Sequence, residues 1–85
     1  MTPQQKEDFR RAIRTYLAER PSLAFNENVI QRHVTREVPC TSPEVLGACD
    51  FLLDLAHIKE VKNTMGSLRY FQITAIGTLA HERGE

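Results

Sequence analysis

The sequence predicts an α+β domain, mostly α, in which a three-helix core is followed by a β-hairpin and a short C-terminal helix. Three observations predict it. Apolar residues recur at helical spacing through the first half of the chain. Two strand-like segments then bracket a cluster of turn residues, and a last apolar stretch follows a threonine suited to capping. At 85 residues the chain has room for a single domain, residues 1–85, with one core and a narrow stability margin.

The first helix is expected from about Thr2 to Arg20. Thr2 suits its cap, Pro3 suits a first turn that needs no amide donor, and Pro21 ends it. Phe9, Ile13, Tyr16 and Leu17 form its apolar stripe, with Ala12 beside it, and Glu7 stands in the favourable order for an ion pair with Arg11. Ser22–Phe25 is too short for a helix and reads as a minor edge strand. Asn26 or Asn28 caps a second helix to about Glu37, with Val29, Ile30, His33 and Val34 inward; Val38, Pro39 and Cys40 make the next turn.

A third helix opens at Thr41-Ser42-Pro43-Glu44. Thr41 and Glu44 have capping-box spacing, and Ser42 before Pro43 is the competing cap. This helix is expected to end near His57. Ile58–Lys62 and Leu68–Ile73 are the strand-like segments, joined through Asn63-Thr64-Met65-Gly66-Ser67. Thr74 caps a last helix from Ala75 to about Arg83, stopped by Gly84.

Composition narrows the function classes. Eleven basic residues balance eleven acidic ones, so no net field draws the molecule to nucleic acid, although a local basic patch stays open. The 41% apolar and 26% charged fractions are those of an ordinary soluble domain. No apolar run approaches the ~20 residues that span a bilayer, and the polar N-terminus lacks a signal-peptide core. The expectation is a cytoplasmic protein, without membrane contact, whose Cys40 and Cys49 are free thiols.

The element order resembles that of the winged helix-turn-helix superfamily, in which three helices carry a β-hairpin wing. The residues that carry the resemblance are LLDLAHIKEV, running from the third helix into a strand, the hairpin KNTMGSLRYF, and ITAIGTLAHERG. The last contains the T-x-x-G junction between wing strand and helix, here Thr74 and Gly77. In style the chain is similar to small bacterial and prophage-encoded winged-helix proteins. The resemblance implies that the second and third helices form the helix-turn-helix unit, that the third enters the major groove, and that double-stranded DNA is the default partner in transcription regulation.

The residues themselves qualify this. A helical wheel places Val45, Leu46, Cys49, Leu52, Leu53 and Ala56 on the core face of the third helix, and Glu44, Gly47, Asp50, Phe51 and Asp54 on the other side. Base edges are normally read by Arg, Lys, Asn or Gln, and none occurs between Pro43 and His57. DNA contact is therefore expected at the wing and at basic helix positions: Lys59, Lys62, Asn63, Thr64, Ser67 and Arg69, with Arg32 and Arg36 on the second helix. Lys6, Arg10 and Arg14 line one side of the first helix, beside Glu7 and Asp8, and read as solvated surface or as further phosphate contacts. The wheel also carries Ala48, Phe51 and Leu55 beyond the core face. Either the last helix covers them with Ile76 and Leu79, or they form a docking patch for another protein or a second copy.

No catalytic constellation stands out. There is no Gly-rich phosphate loop, G-x-S-x-G elbow or H-E-x-x-H pair. His33, Cys40, Cys49 and His57 are seven, nine and eight residues apart, without the tight pairs of structural zinc sites. No metal or cofactor is expected. Two readings remain: a DNA-binding regulatory protein that uses its wing and basic positions, and a protein–protein interaction module that uses its third helix.

Overall fold

A computed structural model describes residues 2–61 and 69–85. Four helices, α1 (Pro3–Ala18), α2 (Glu27–Val34), α3 (Ser42–Asp54) and α4 (Ala75–Glu82), surround three short strands, β1 (Phe25–Asn26), β2 (Ile58–Val61) and β3 (Tyr70–Ile73). The protein is thus α+β and mostly helical. The strands form one antiparallel sheet in the order β1-β3-β2, with Phe25 opposite Phe71 and Ile58 opposite Ile73. Of the expected wing residues, Lys62, Asn63, Thr64 and Ser67 lie outside the described residues, as do Met65 and Gly66.

Each helix starts on a side-chain cap. Thr2 accepts from the Gln5 amide at 3.2 Å, and the Gln5 side chain accepts from the Thr2 amide at 2.9 Å, a complete capping box. Asn26, not Asn28, caps α2 by accepting from the Val29 amide at 3.0 Å. Thr41 prevails over Ser42 at α3 because Glu44 returns the hydrogen bond to the Thr41 amide at 3.0 Å, so Ser42 is already the first helical residue. α2 stops at Val34, three residues short of the expected Glu37, and bonded turns from Val34 to Glu37 and Val38 follow it. The anticipated Glu7–Arg11 pair is not formed; Gln4 instead donates to Asp8 at 3.1 Å on that turn.

Phe9, Ile13 and Leu17 from α1 meet Ile30 and Val34 from α2, Val45, Cys49 and Leu52 from α3, and Ile58, Phe71 and Ile73 from the sheet. Burying each large apolar side chain stabilises the fold by about 1.5–3 kcal/mol. Alternation along β3 sends Phe71 and Ile73 inward, while Gln72 between them donates to the Pro21 carbonyl at 2.8 Å. Val29 and His33 are only half-buried, and His33 stacks on Tyr16 with ring centroids 4.8 Å apart.

The corner between α3 and β2 departs from expectation and organises what surrounds it. α3 ends at Asp54 instead of near His57, and Ala56, assigned above to the core face, is exposed with φ 60. The amides of Ala56 and His57 donate back to the Leu53 and Leu52 carbonyls at 2.9 and 3.0 Å. This is a Schellman turn, with alanine at the left-handed position that normally takes glycine. α4 ends in the same way, there with Gly84 at φ 74. Thr74 then clasps the corner: its amide donates to the His57 carbonyl at 3.0 Å, its hydroxyl donates to the Ala56 carbonyl, and the same hydroxyl accepts from the Gly77 amide at 3.1 Å to cap α4. Gly77 lies so close to the His57 carbonyl that a side-chain carbon would collide with it.

Two substitutions at this corner are expected to move stability in opposite directions in a denaturant titration. Gly77→Ala should lose about 3 kcal/mol, because backbone and not a pliable side chain stands in the way. Ala56→Gly should gain about 0.5–1 kcal/mol by relieving the left-handed strain, net of the entropy glycine adds to the unfolded chain. A loss on Ala56→Gly would refute the reading of that turn.

Candidate functional site

The outer face of α3 follows from its caps and its packing. With Val45, Cys49 and Leu52 held in the core, the helical repeat turns Glu44, Gly47, Asp50, Phe51 and Asp54 outward, all exposed. Phe51 is 44% exposed and Leu55 47%. Ala48, expected in the same patch, is buried instead, because the neighbouring α1 approaches it. It lines a groove of about 320 Å³ that runs between Lys6, Phe9 and Arg10 of α1 and Glu44, Gly47 and Phe51 of α3. The alternative in which α4 folds over the patch is corrected: α4 packs against α1, and Ile76 and Leu79 are 55% and 48% exposed. The group that does lie on Phe51 is the Arg10 guanidinium, 4.0 Å from the ring centroid.

Among the described residues the basic candidates do not gather into one surface. Arg69 is already committed. Its Nε and Nη2 donate to Glu60 at 3.0 and 2.8 Å, and Nη2 also donates to Asp50 at 2.9 Å, which ties β3 to β2 and to α3. These bonds raise its pKa above the ordinary arginine value, and both carboxylates neutralise the charge a phosphate would need. Lys59 on β2, Arg32 on α2 and Arg36 just beyond α2 are exposed. The expected row of Lys6, Arg10 and Arg14 is broken, because Arg14 is 6% exposed and sits in the interior.

Arg14 belongs to a second arrangement, a cleft of about 250 Å³ between α1, the end of α3 and the end of α4. Arg10, Arg11 and Arg14 enter it from α1, Phe51, Leu52 and Leu55 from the α3 side, and Glu7 and Glu85 complete its lining with His57. Arg14 Nη1 lies 3.3 Å from His57 Nδ1. A guanidinium can only donate, so Nδ1 accepts and the imidazole carries its proton on Nε2. Burial, then the Arg14 charge, pushes the His57 pKa down, which keeps the ring neutral. Burial, then Arg11, lowers the Arg14 pKa too, and Arg14 Nε is buried without an acceptor. His57 and the buried role of Arg14 were missed from sequence. The available signal was Arg14 directly following the core residue Ile13, on the edge of the apolar stripe.

The thiols are poor nucleophiles. Cys49 is fully buried, and its pKa is pushed up to about 12, chiefly by burial; the Cys40 thiol, half-buried, is also raised by burial. Both are free. Among the described residues no three His, Cys, Asp or Glu side chains gather to hold a metal ion, and no helix is long and apolar enough to cross a membrane. Comparison with protein-family models, with curated proteins and with solved structures returns no match.

Two titrations bound the stable pH range. The folded pKa of His57 lies below its ordinary 6.5, so as pH falls the unfolded chain takes the proton first. Stability is then present above about 6.5 and lost on acidification. The folded pKa of Cys49 lies above its ordinary 9.0, so stability is present below about 9 and lost as pH rises toward 12. Thermal unfolding across pH should show both limbs, His57→Gln flattening the acid one and Cys49→Ala the alkaline one. An acid limb unchanged in His57→Gln would remove His57 from this account.

Proposed function

We propose that this chain is a non-enzymatic winged-helix binding module that docks another protein on the outer face of α3, around Phe51 and Leu55. The winged-helix part rests on topology. Three helices precede the β2–β3 pair, β1 joins the sheet between α1 and α2, and the T-x-x-G residues fasten β3 to α4. Fold-level analogy of this kind would by itself favour DNA, and the side chains favour protein.

The observation that carries the reading is the composition of the α3 face. The helix that would enter the major groove presents Glu44, Asp50 and Asp54 beside two half-exposed apolar side chains. Phosphates would meet carboxylates there, and base edges would meet no Arg, Lys, Asn or Gln. An apolar centre with a charged rim is instead the anatomy of a protein interface. Arg69, which directly precedes β3, is held by Asp50 and Glu60. A second reading, DNA binding, is favoured by the exposure of Arg32, Arg36 and Lys59. These would contact the backbone without reading sequence.

Salt separates the two. A partner docked on Phe51 and Leu55 should stay bound between about 50 and 200 mM salt, whereas phosphate contacts weaken steeply over that range. The expected outcome is that cross-linking recovers a partner with the parent protein, or a dimer by solution mass, and that Phe51→Asp and Leu55→Asp lose it. Random duplex should not be retarded in a gel at low salt. Salt-sensitive retardation abolished by Arg32→Glu, Arg36→Glu or Lys59→Glu, with Phe51→Asp silent, would overturn the proposal in favour of DNA.

A further inference from the structure

The cleft beside Phe51 holds more positive charge than the protein neutralises. Arg10, Arg11 and Arg14 all line it, and among the described residues none of the three makes an ion pair; those formed by arginine involve Arg20, Arg69 and Arg83. Arg14 is the sharpest case. It is 6% exposed, its one hydrogen bond among the described residues goes to the neutral ring of His57, and its Nε has no acceptor. Glu85 acts on Arg14 only at a distance and forms no ion pair with it, so the desolvated guanidinium lacks a direct anionic partner, which an entering anion would provide. His57 cannot supply that anion. It fixes the plane of the guanidinium, and its backbone is in turn held by Thr74 and packed against Gly77.

We propose that this cleft binds a carboxylate side chain of a partner protein, an Asp or Glu flanked by apolar residues, with the carboxylate against Arg14 and Arg11 and the apolar neighbours against Phe51 and Leu55. The inference rests on the docking reading above and names the chemistry of the partner. Charge complementarity selects the occupant. Arginine forks match a carboxylate in bidentate geometry, and the exposed apolar wall lies within the same cleft. Phosphate also pairs with guanidinium groups in bidentate geometry. A nucleic-acid strand, however, is a continuous polyanion, and it would have to pass Glu7 and Glu85 in the cleft lining and Asp54 on the adjoining turn. A single carboxylate side chain places one charge beside Glu7 and Glu85, against three arginines, and its apolar neighbours carry none past Asp54. The Arg10 guanidinium stacked on Phe51 joins the two halves, so a ligand that moves one registers at the other.

The test uses two capped peptides, N-acetyl-Leu-Glu-Leu-amide and its Gln counterpart, titrated into the intact protein while the Arg14 Nε–H and Phe51 ring signals are followed by NMR. The Glu peptide should shift both sets of signals along one saturable curve, and the Gln peptide should bind about tenfold more weakly. Arg14→Gln should abolish the difference between the peptides. Because that buried variant could unfold, Arg11→Gln, at an exposed position, serves as the second variant and should weaken the Glu peptide alone. Equal binding of the two peptides overturns the anion cleft and leaves the apolar docking face standing. So does the absence of any shift while a partner still depends on Phe51. Tighter binding of inorganic phosphate or random duplex than of the Glu peptide overturns the choice of carboxylate. A dimer that Arg11→Gln dissociates puts a second copy in the cleft and overturns a foreign partner. If Phe51→Asp leaves partner capture unchanged, the docking reading itself fails, whatever the peptides do.

Discussion

The hydrogen bonds that Thr74 makes to Ala56 and His57 hold together two parts of the chain that are far apart in sequence, and much of the molecule is placed by them. They join the end of α3, the start of β2, the end of β3 and the first turn of α4 at one point. Because Gly77 brings no side chain, α4 can sit directly on the His57 carbonyl. The His57 ring is then turned toward α1, where it meets Arg14. The T-x-x-G junction is therefore more than a link between strand and helix. It also positions the wall of the cleft beside Phe51 and Leu55.

The equal numbers of basic and acidic residues conceal an uneven arrangement. On the β2–β3 side of α3, Arg69 is shared between Asp50 and Glu60, and a further ring contact places it 5.2 Å from the Phe71 centroid. Such exposed pairs add little stability, but they leave the Arg69 charge committed to carboxylates. On the α1 side, three arginines face apolar groups and a neutral imidazole, with Glu7 and Glu85 in the lining but paired to none of the three. Two sides of one helix thus differ in what they can attract, and the total charge reports neither.

Local chemistry was legible in the sequence where neighbours decide it. Thr2, Thr41 and Thr74 cap their helices as expected, and of the two asparagines considered the structure takes Asn26. The inward residues Phe9, Ile13 and Leu17 of α1 follow from its helical period. What stayed hidden was the relation between distant segments. The wheel of α3 placed Phe51 and Leu55 outside the core face but could not show that α1 would close over Ala48, or that α4 would lie against α1 and leave Phe51 and Leu55 open. Ala56 was misassigned because a wheel assumes that the helix continues, and here a left-handed residue ends it. Arg14 looked like surface because burying a guanidinium is costly, and its one hydrogen-bond partner among the described residues is a histidine forty-three positions away.

The shortest strand has a consequence for how the protein behaves in a crowd. β1 is two residues long, and its second residue, Asn26, both pairs with Tyr70 and caps α2. The chain passes from sheet edge into helix without an intervening residue, so β1 itself offers a foreign strand no extended stretch on which to continue the ladder. An edge of this kind is a poor template for aggregation. Peeling it away would also uncap a helix, so the sheet margin and α2 should open as one cooperative unit.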